Sequence, residues 1–183
     1  MRIVAGLFKG RMLAAPKGDV TRPTADRVRQ ALFDTLMHAE WGGRELVAGA
    51  TVLDAFAGTG ALGLEALSRG AAHGHFFESD PAALEALRAN IASFRAKASV
   101  HRDALRPPRG PSCQLAFLDP PYREGLIPPA IAALRTAGWL KPGAVIVIET
   151  ARDEETPDLG ELLDQRRHGA AMISIYRLGE ATA

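Results

Sequence analysis

Thr51-Val52-Leu53-Asp54-Ala55-Phe56-Ala57-Gly58-Thr59-Gly60-Ala61-Leu62-Gly63 decides how this chain folds. Thr51–Ala55 is a short run of β-branched and apolar residues, the composition of a strand buried on both faces. Gly58-x-Gly60-x-x-Gly63 follows, a spacing that permits a tight turn and close backbone approach. A helix then runs through Leu64, Leu67 and Ser68 and stops at Gly70. Strand, glycine turn and helix in that order open a β–α unit, and one such unit predicts more.

They are found downstream. Gly74-His75-Phe76-Phe77 is a second strand closing on Glu78, and Pro81 opens a helix through Leu84, Leu87, Ile91 and Phe94, at the first-turn position that tolerates proline. A third strand near Ala98–His101 leads to Asp103. Leu115-Ala116-Phe117-Leu118 is a fourth, ending at Asp119. A helix from about Pro128 to Ala137 precedes the strand Gly143–Glu149. Leu162–Arg167 and Ala171–Leu178 flank His168-Gly169 as an antiparallel hairpin. The expected fold class is α/β: a Rossmann-like, mostly parallel sheet with helices on both faces and a C-terminal antiparallel hairpin. Upstream, Ile3–Gly6 and Arg11–Ala14 around a glycine-marked turn predict a basic β-hairpin within residues 1–18. Thr24 is a candidate N-cap for a helix over about 24–40, with Val28, Ala31, Leu32, Thr35 and Leu36 on one face. The 183 residues are expected to form one domain, with a catalytic core over 51–178.

Composition narrows the function. At 47% hydrophobic and 23% charged the chain is ordinary for a soluble globular protein. It has no run near the roughly 18 apolar residues of a membrane span, and its first residues lack the apolar core of a secretory signal. Cys113 is the single cysteine, which excludes an intrachain disulfide and a cysteine zinc cluster. The five histidines show no metal-binding spacing, so a cytoplasmic, metal-free protein is expected. Net charge is +1, unevenly spread. Residues 1–30 carry seven basic side chains, Lys9, Arg11, Arg22 and Arg27 among them, against two acids, leaving −4 elsewhere. A polyanion lying across the N-terminal segment would fit that asymmetry.

Asp54, Glu78, Asp103 and Asp119 all fall at or just beyond predicted strand ends, where open α/β sheets bind ligands. Four acids at one rim repel one another and call for a ligand with positive or donor groups. The glycine pattern, with Glu78 twenty residues after Gly58, suits NAD or S-adenosylmethionine. Glu78 would accept ribose hydroxyls in either case. Asp54 before the glycines could meet a cationic methionyl amine, and Asp103 an adenine amine, which favours S-adenosylmethionine. No arrangement for hydride chemistry accompanies them. In Asp119-Pro120-Pro121-Tyr122, an acceptor side chain, a rigid carbonyl and a ring stand together. That combination suits a planar base carrying an exocyclic amine.

Asp54-Ala55-Phe56-Ala57-Gly58-Thr59-Gly60 resembles motif I of class I methyltransferases, and Asp119-Pro120-Pro121-Tyr122 is similar to the acid/Asn-Pro-Pro-aromatic motif of enzymes that methylate nucleobase amines. With Arg2–Gly6, Lys9-Gly10-Arg11 and Arg22–Arg29, nearly the whole chain resembles the RsmD family of bacterial 16S rRNA guanine-N2 methyltransferases. The resemblance implies a seven-stranded methyltransferase sheet, S-adenosylmethionine as cofactor and 16S rRNA or a small-subunit particle as partner. It assigns the cofactor to Asp54, Phe56, Gly58, Thr59, Gly60, Glu78, Asp103 and Asp119, and catalysis to Asp119, Pro120, Pro121 and Tyr122. Lys9, Arg11, Arg22 and Arg27 would touch RNA, and a monomer is expected. Alternatives are a DNA adenine-N6 methyltransferase, a non-catalytic RNA assembly factor and a NAD oxidoreductase.

Overall fold

The computed structural model describes residues 1–16, 23–155 and 157–180. In chain order the elements are α1 (Pro23–His38), β1 (Thr51–Asp54), α2 (Ala61–Ser68), β2 (His73–Phe77), α3 (Pro81–Phe94), β3 (Ala98–His101) and β4 (Leu115–Leu118). They are followed by α4 (Ile127–Thr136), β5 (Val145–Ala151), β6 (Gly160–His168) and β7 (Ala171–Leu178). The seven strands form one sheet in the order β3-β2-β1-β4-β5-β7-β6. β1 to β5 run parallel, whereas β7 pairs antiparallel with both β5 and β6. Strand order reverses at β1, which has β2 on one side and β4 on the other, so a crevice opens beyond their carboxyl ends.

Alternation along the central strands divides the core. Phe117, Val145 and Val147 face Leu32, Phe33 and Leu36 of α1. Ala116, Leu118, Ile146 and Ile148 face Ile127, Ile131 and Leu134 of α4. Asp80 caps α3 by accepting the Ala83 N–H at 2.8 Å. The proline-rich loop before β4 wraps an indole: Trp139 is fully buried, and its Nε1–H donates to the Pro108 carbonyl at 2.6 Å. Gly110 lies so close to that ring that an added Cβ would stand 2.1 Å from it.

The N-terminal segment corrects an expectation. Residues 1–14 do not form a β-hairpin. Strand-like pairing there is limited to one antiparallel bridge, Arg2 to Met12, and the bonds around it: Ile3 N–H to the Arg11 carbonyl at 3.0 Å, Gly10 N–H to that of Ile3 at 2.8 Å and Leu13 N–H to that of Met1 at 3.1 Å. The reason lies in where the backbone donors go. Val4 and Ala5 N–H donate to the Glu65 carboxylate at 2.9 and 3.1 Å, Leu7 N–H to the Ser68 carbonyl at 2.7 Å, and Phe8 N–H to Ser68 Oγ at 2.8 Å. Helix α2 thus takes the donors of Val4, Ala5, Leu7 and Phe8, and the pairing between the two runs stops at a single bridge. Gly6, at φ +80°, makes this docking possible, since a Cβ there would fall 1.8 Å from the Ser68 carbonyl oxygen. Ile3, Phe8 and Leu13 are buried in the cluster formed by α2 and α3.

Candidate active site

A cleft of about 770 Å³ lies across the carboxyl ends of β1, β2 and β4. Phe56, Gly58, Glu78, Asp103, Asp119 and Pro120 are on its wall. Glu78 organises one side: one carboxylate oxygen accepts the Gly58 N–H and the other the Asp80 N–H, both at 2.7 Å. Gly58 has φ +53°, and a Cβ added to it would meet no protein atom within 4 Å. The turn therefore presents bare backbone toward open space. Asp103 sits beyond β3, where its carboxylate accepts the Leu105 N–H at 2.8 Å.

Asp54, Thr59 and Gly60 stand behind this wall rather than on it. The Asp54 carboxylate is buried and accepts the Gly63 N–H at 3.0 Å, tying the end of β1 to the first turn of α2. Burial raises its pKa to about 7, with the Gly63 hydrogen bond opposing and the charge of Glu78 adding to the rise. The Thr59 carbonyl accepts from Asn90 Nδ2 at 2.9 Å, fixing the turn against α3.

Asp119 stands at the end of β4. Its carboxylate is open to the cleft, while protein crowds it from the other sides. That crowding, together with the charges of Glu149 and Asp54, pushes its pKa up to about 8. Tyr122 is 41% exposed, and its hydroxyl donates to Glu149 Oε1. Burial of the ring and the neighbouring carboxylates raise the phenol pKa. Pro121 also lies on the cleft wall, so the four residues of the corner share one site.

A second cavity, of about 460 Å³, lies on the α1 side of this corner. Val28, Leu32, Leu62, Val147 and Ile173 supply apolar wall. Asp119, Tyr122 and Glu149 line both cavities and form the partition between them. Glu149 was not singled out in the sequence, although it closes the strand run Gly143–Glu149 just as Asp119 closes its own.

The expected RNA contacts separate. Lys9 and Arg27 are exposed and form no ion pair among the described residues. Arg11 is engaged: it donates to the Ser93 carbonyl at 2.7 Å and lies 4.4 Å from the Phe94 ring centroid. Arg22 and the Thr24 side chain lie outside the described residues. Sequence reasoning also missed the ion network beneath the N-terminal segment. Glu65, fully buried, is met by Arg69 Nε at 2.8 Å and by Arg29 Nε at 3.4 Å, and Arg29 also reaches Asp26 at 2.9 Å. Among the described residues, no cluster of acids, histidines and cysteine could hold a metal ion.

Comparison with known proteins agrees with this architecture. The family model described as "Conserved hypothetical protein 95" matches residues 1–177. The ribosomal RNA small subunit methyltransferase D of Escherichia coli is 36% identical over 187 residues, spanning 100% of this chain and 91% of that protein. Its Haemophilus influenzae counterpart is 34% identical, spanning 97% and 93%. The solved structure of the yhhF protein of Escherichia coli superposes with a TM-score of 0.82 at 35% identity, covering 99% of both chains. A seven-stranded mixed sheet of class I methyltransferase type is thereby established. With likeness of this extent along the full sequence, the chain belongs to the family of ribosomal RNA small subunit methyltransferases D.

Proposed function

We propose that the protein transfers a methyl group from S-adenosylmethionine to the exocyclic N2 amine of a guanine in 16S ribosomal RNA, with the Asp119–Tyr122 corner as its reaction centre. Membership of a family whose relatives are named ribosomal RNA small subunit methyltransferases supports the reaction. The observation that carries the residue assignment is the partition: one acid at the end of β4 opens into a nucleotide-sized cleft while bordering a second, largely apolar cavity.

The residues of the larger cleft fit the cofactor. Glu78 would accept from the ribose hydroxyls, because each of its oxygens keeps a lone pair beyond the backbone N–H it already binds. Asp103 would accept from the adenine amine. The bare backbone at Gly58 leaves room beside it, and Asp54 acts from behind by holding the turn in place. When bound, S-adenosylmethionine supplies an electrophilic methyl on a sulfonium centre.

The chain's own residues prepare the acceptor. A guanine amine is a poor nucleophile because its lone pair is delocalised into the ring. Asp119 and the Pro120 carbonyl, each accepting one N–H, favour a pyramidal nitrogen and direct its lone pair toward the larger cleft. Asp119 also holds the proton that the nitrogen sheds once its new bond has formed. The Tyr122 ring stacks on the base, a contact worth about 1–3 kcal/mol, and its hydroxyl bond to Glu149 fixes the plane of that ring. Alignment of this kind supplies most of the rate gain. Reaching the amine requires the base to leave its stack.

Asp119→Ala should lower methyl transfer by about a thousandfold or more, far beyond any loss of cofactor affinity that follows from removing its charge. Transfer is followed with radiolabelled S-adenosylmethionine on small-subunit particles, and affinity by calorimetry. Near-normal turnover in this variant would remove Asp119 from the reaction centre. Mapping modified guanines in 16S rRNA from cells lacking the protein identifies the acceptor nucleotide.

A further inference from the structure

We infer that Glu149 is a specificity-determining residue: the carboxylate that reads the ring N1–H of the acceptor guanine from the smaller cavity. The inference rests on the guanine-N2 reading above and deepens it. Three observations lead to it. Glu149, at the end region of β5, lies on the partition beside Asp119 and borders both cavities. Its Oε1 is taken by the Tyr122 hydroxyl, whereas Oε2 has no hydrogen-bond partner among the described residues. The cavity it faces from this partition is otherwise walled mainly by apolar side chains of α1, α2, β5 and β7, a surface suited to the flat faces of a base.

Two neighbouring carboxylates are costly unless a ligand brings donors to both. Guanine does so in a way no other standard base can. Its Watson–Crick edge carries an N1–H next to an N2 amine, a row of three hydrogens. With Asp119 and the Pro120 carbonyl on the amine, Oε2 of Glu149 is the acceptor available for N1–H. Adenine would turn the bare N1 lone pair toward the same carboxylate, and the pair would repel. A polar site built for one donor rejects the analogue that lacks it far more strongly than an apolar pocket rejects a change of size. Tyr122 acts here through Glu149, holding the carboxylate by one oxygen and leaving the other for the base.

The test exchanges N1–H for a lone pair. With the acceptor guanine located, 16S rRNA is assembled by ligation with guanine or 2,6-diaminopurine at that position. Diaminopurine keeps the N2 amine but has no hydrogen on N1. The wild-type protein should prefer guanine by about a hundredfold or more in kcat/KM, and Glu149→Gln, whose amide can donate to N1, should narrow that preference by about tenfold or more. Comparing the ratio between two enzymes cancels any effect of the altered base on RNA folding. The S-adenosylmethionine Kd should change by less than about twofold, since the cofactor contacts lie elsewhere. Equal wild-type rates on the two bases would overturn the inference with no variant needed. So would an unchanged ratio in Glu149→Gln, or a loss of cofactor affinity that matches its loss of kcat/KM. In those cases methylation of guanine by the wild type would leave the guanine-N2 reading intact. Absence of that methylation would sink both.

Discussion

Asp119 and Asp54 both have pKa values above the carboxylate norm of 3.8, at about 8 and about 7. An acid whose pKa is higher in the folded chain stabilises the fold below the unfolded value, and that contribution is lost as the pH rises through the folded one. The ligand-free protein should therefore lose thermal stability between about pH 4 and pH 8 on account of these two groups, and Asp119→Asn should flatten that decline. A thermal midpoint with the same pH slope in wild type and variant would contradict the assignment. The cofactor's sulfonium and ammonium charges favour the ionised carboxylate, so binding near pH 7 should release protons. Calorimetry in buffers of different ionisation heat reads that release directly, and zero proton exchange would remove the coupling. A carboxylate restored to its charged form by one ligand is then ready to accept hydrogen bonds from the other.

At the scale of elements, the contact between the N-terminal segment and α2 is where sequence and structure part. The short runs around Gly6 and Gly10 have the composition of a hairpin, and nothing local reveals that their donors will be claimed by Glu65 and Ser68, some sixty positions away. Glu65 itself is hidden in an apolar helix pattern, and its cationic partner Arg29 belongs to another helix. Long-range polar pairing has no periodicity to read. The strands and glycine turns were legible because alternation and φ > 0 leave local marks, and the rim acids because each one closes an apolar run. The proline-rich loop was not, because its partner is Trp139, beyond α4 in the chain. Glu65→Ala would leave Arg29 and Arg69 with uncompensated buried charge, and should cost about 3–5 kcal/mol. Urea denaturation measures it; a loss below about 1 kcal/mol would mean that the network is loosely held.

Over the whole molecule, net charge conceals a basic N-terminal segment, residues 1–30, set against an acidic remainder. Deleting that segment would not test its part in RNA binding, because Ile3, Phe8 and Leu13 belong to the core. Point changes separate the two roles. Lys9→Glu combined with Arg27→Glu, both at exposed positions, should weaken binding to 16S rRNA and reduce the slope of log affinity against log salt by about 1–2, without lowering the unfolding midpoint. Filter binding at several salt concentrations gives the slope, and an unchanged slope would place the phosphate contacts on other residues.

The position of β7 bears on how the molecule comes into being. The last strand to be synthesised is wedged between β5 and β6, so the strand carrying Glu149 keeps a bare edge, and β6 has nothing to pair with, until Ala171–Leu178 has emerged. His168 to Ile173 also close the smaller cavity. A nascent chain that has reached only Arg167 holds every rim acid and still lacks the wall of the smaller cavity. The smaller cavity is thus completed only with β7, the strand that also pairs the bare edges of β5 and β6.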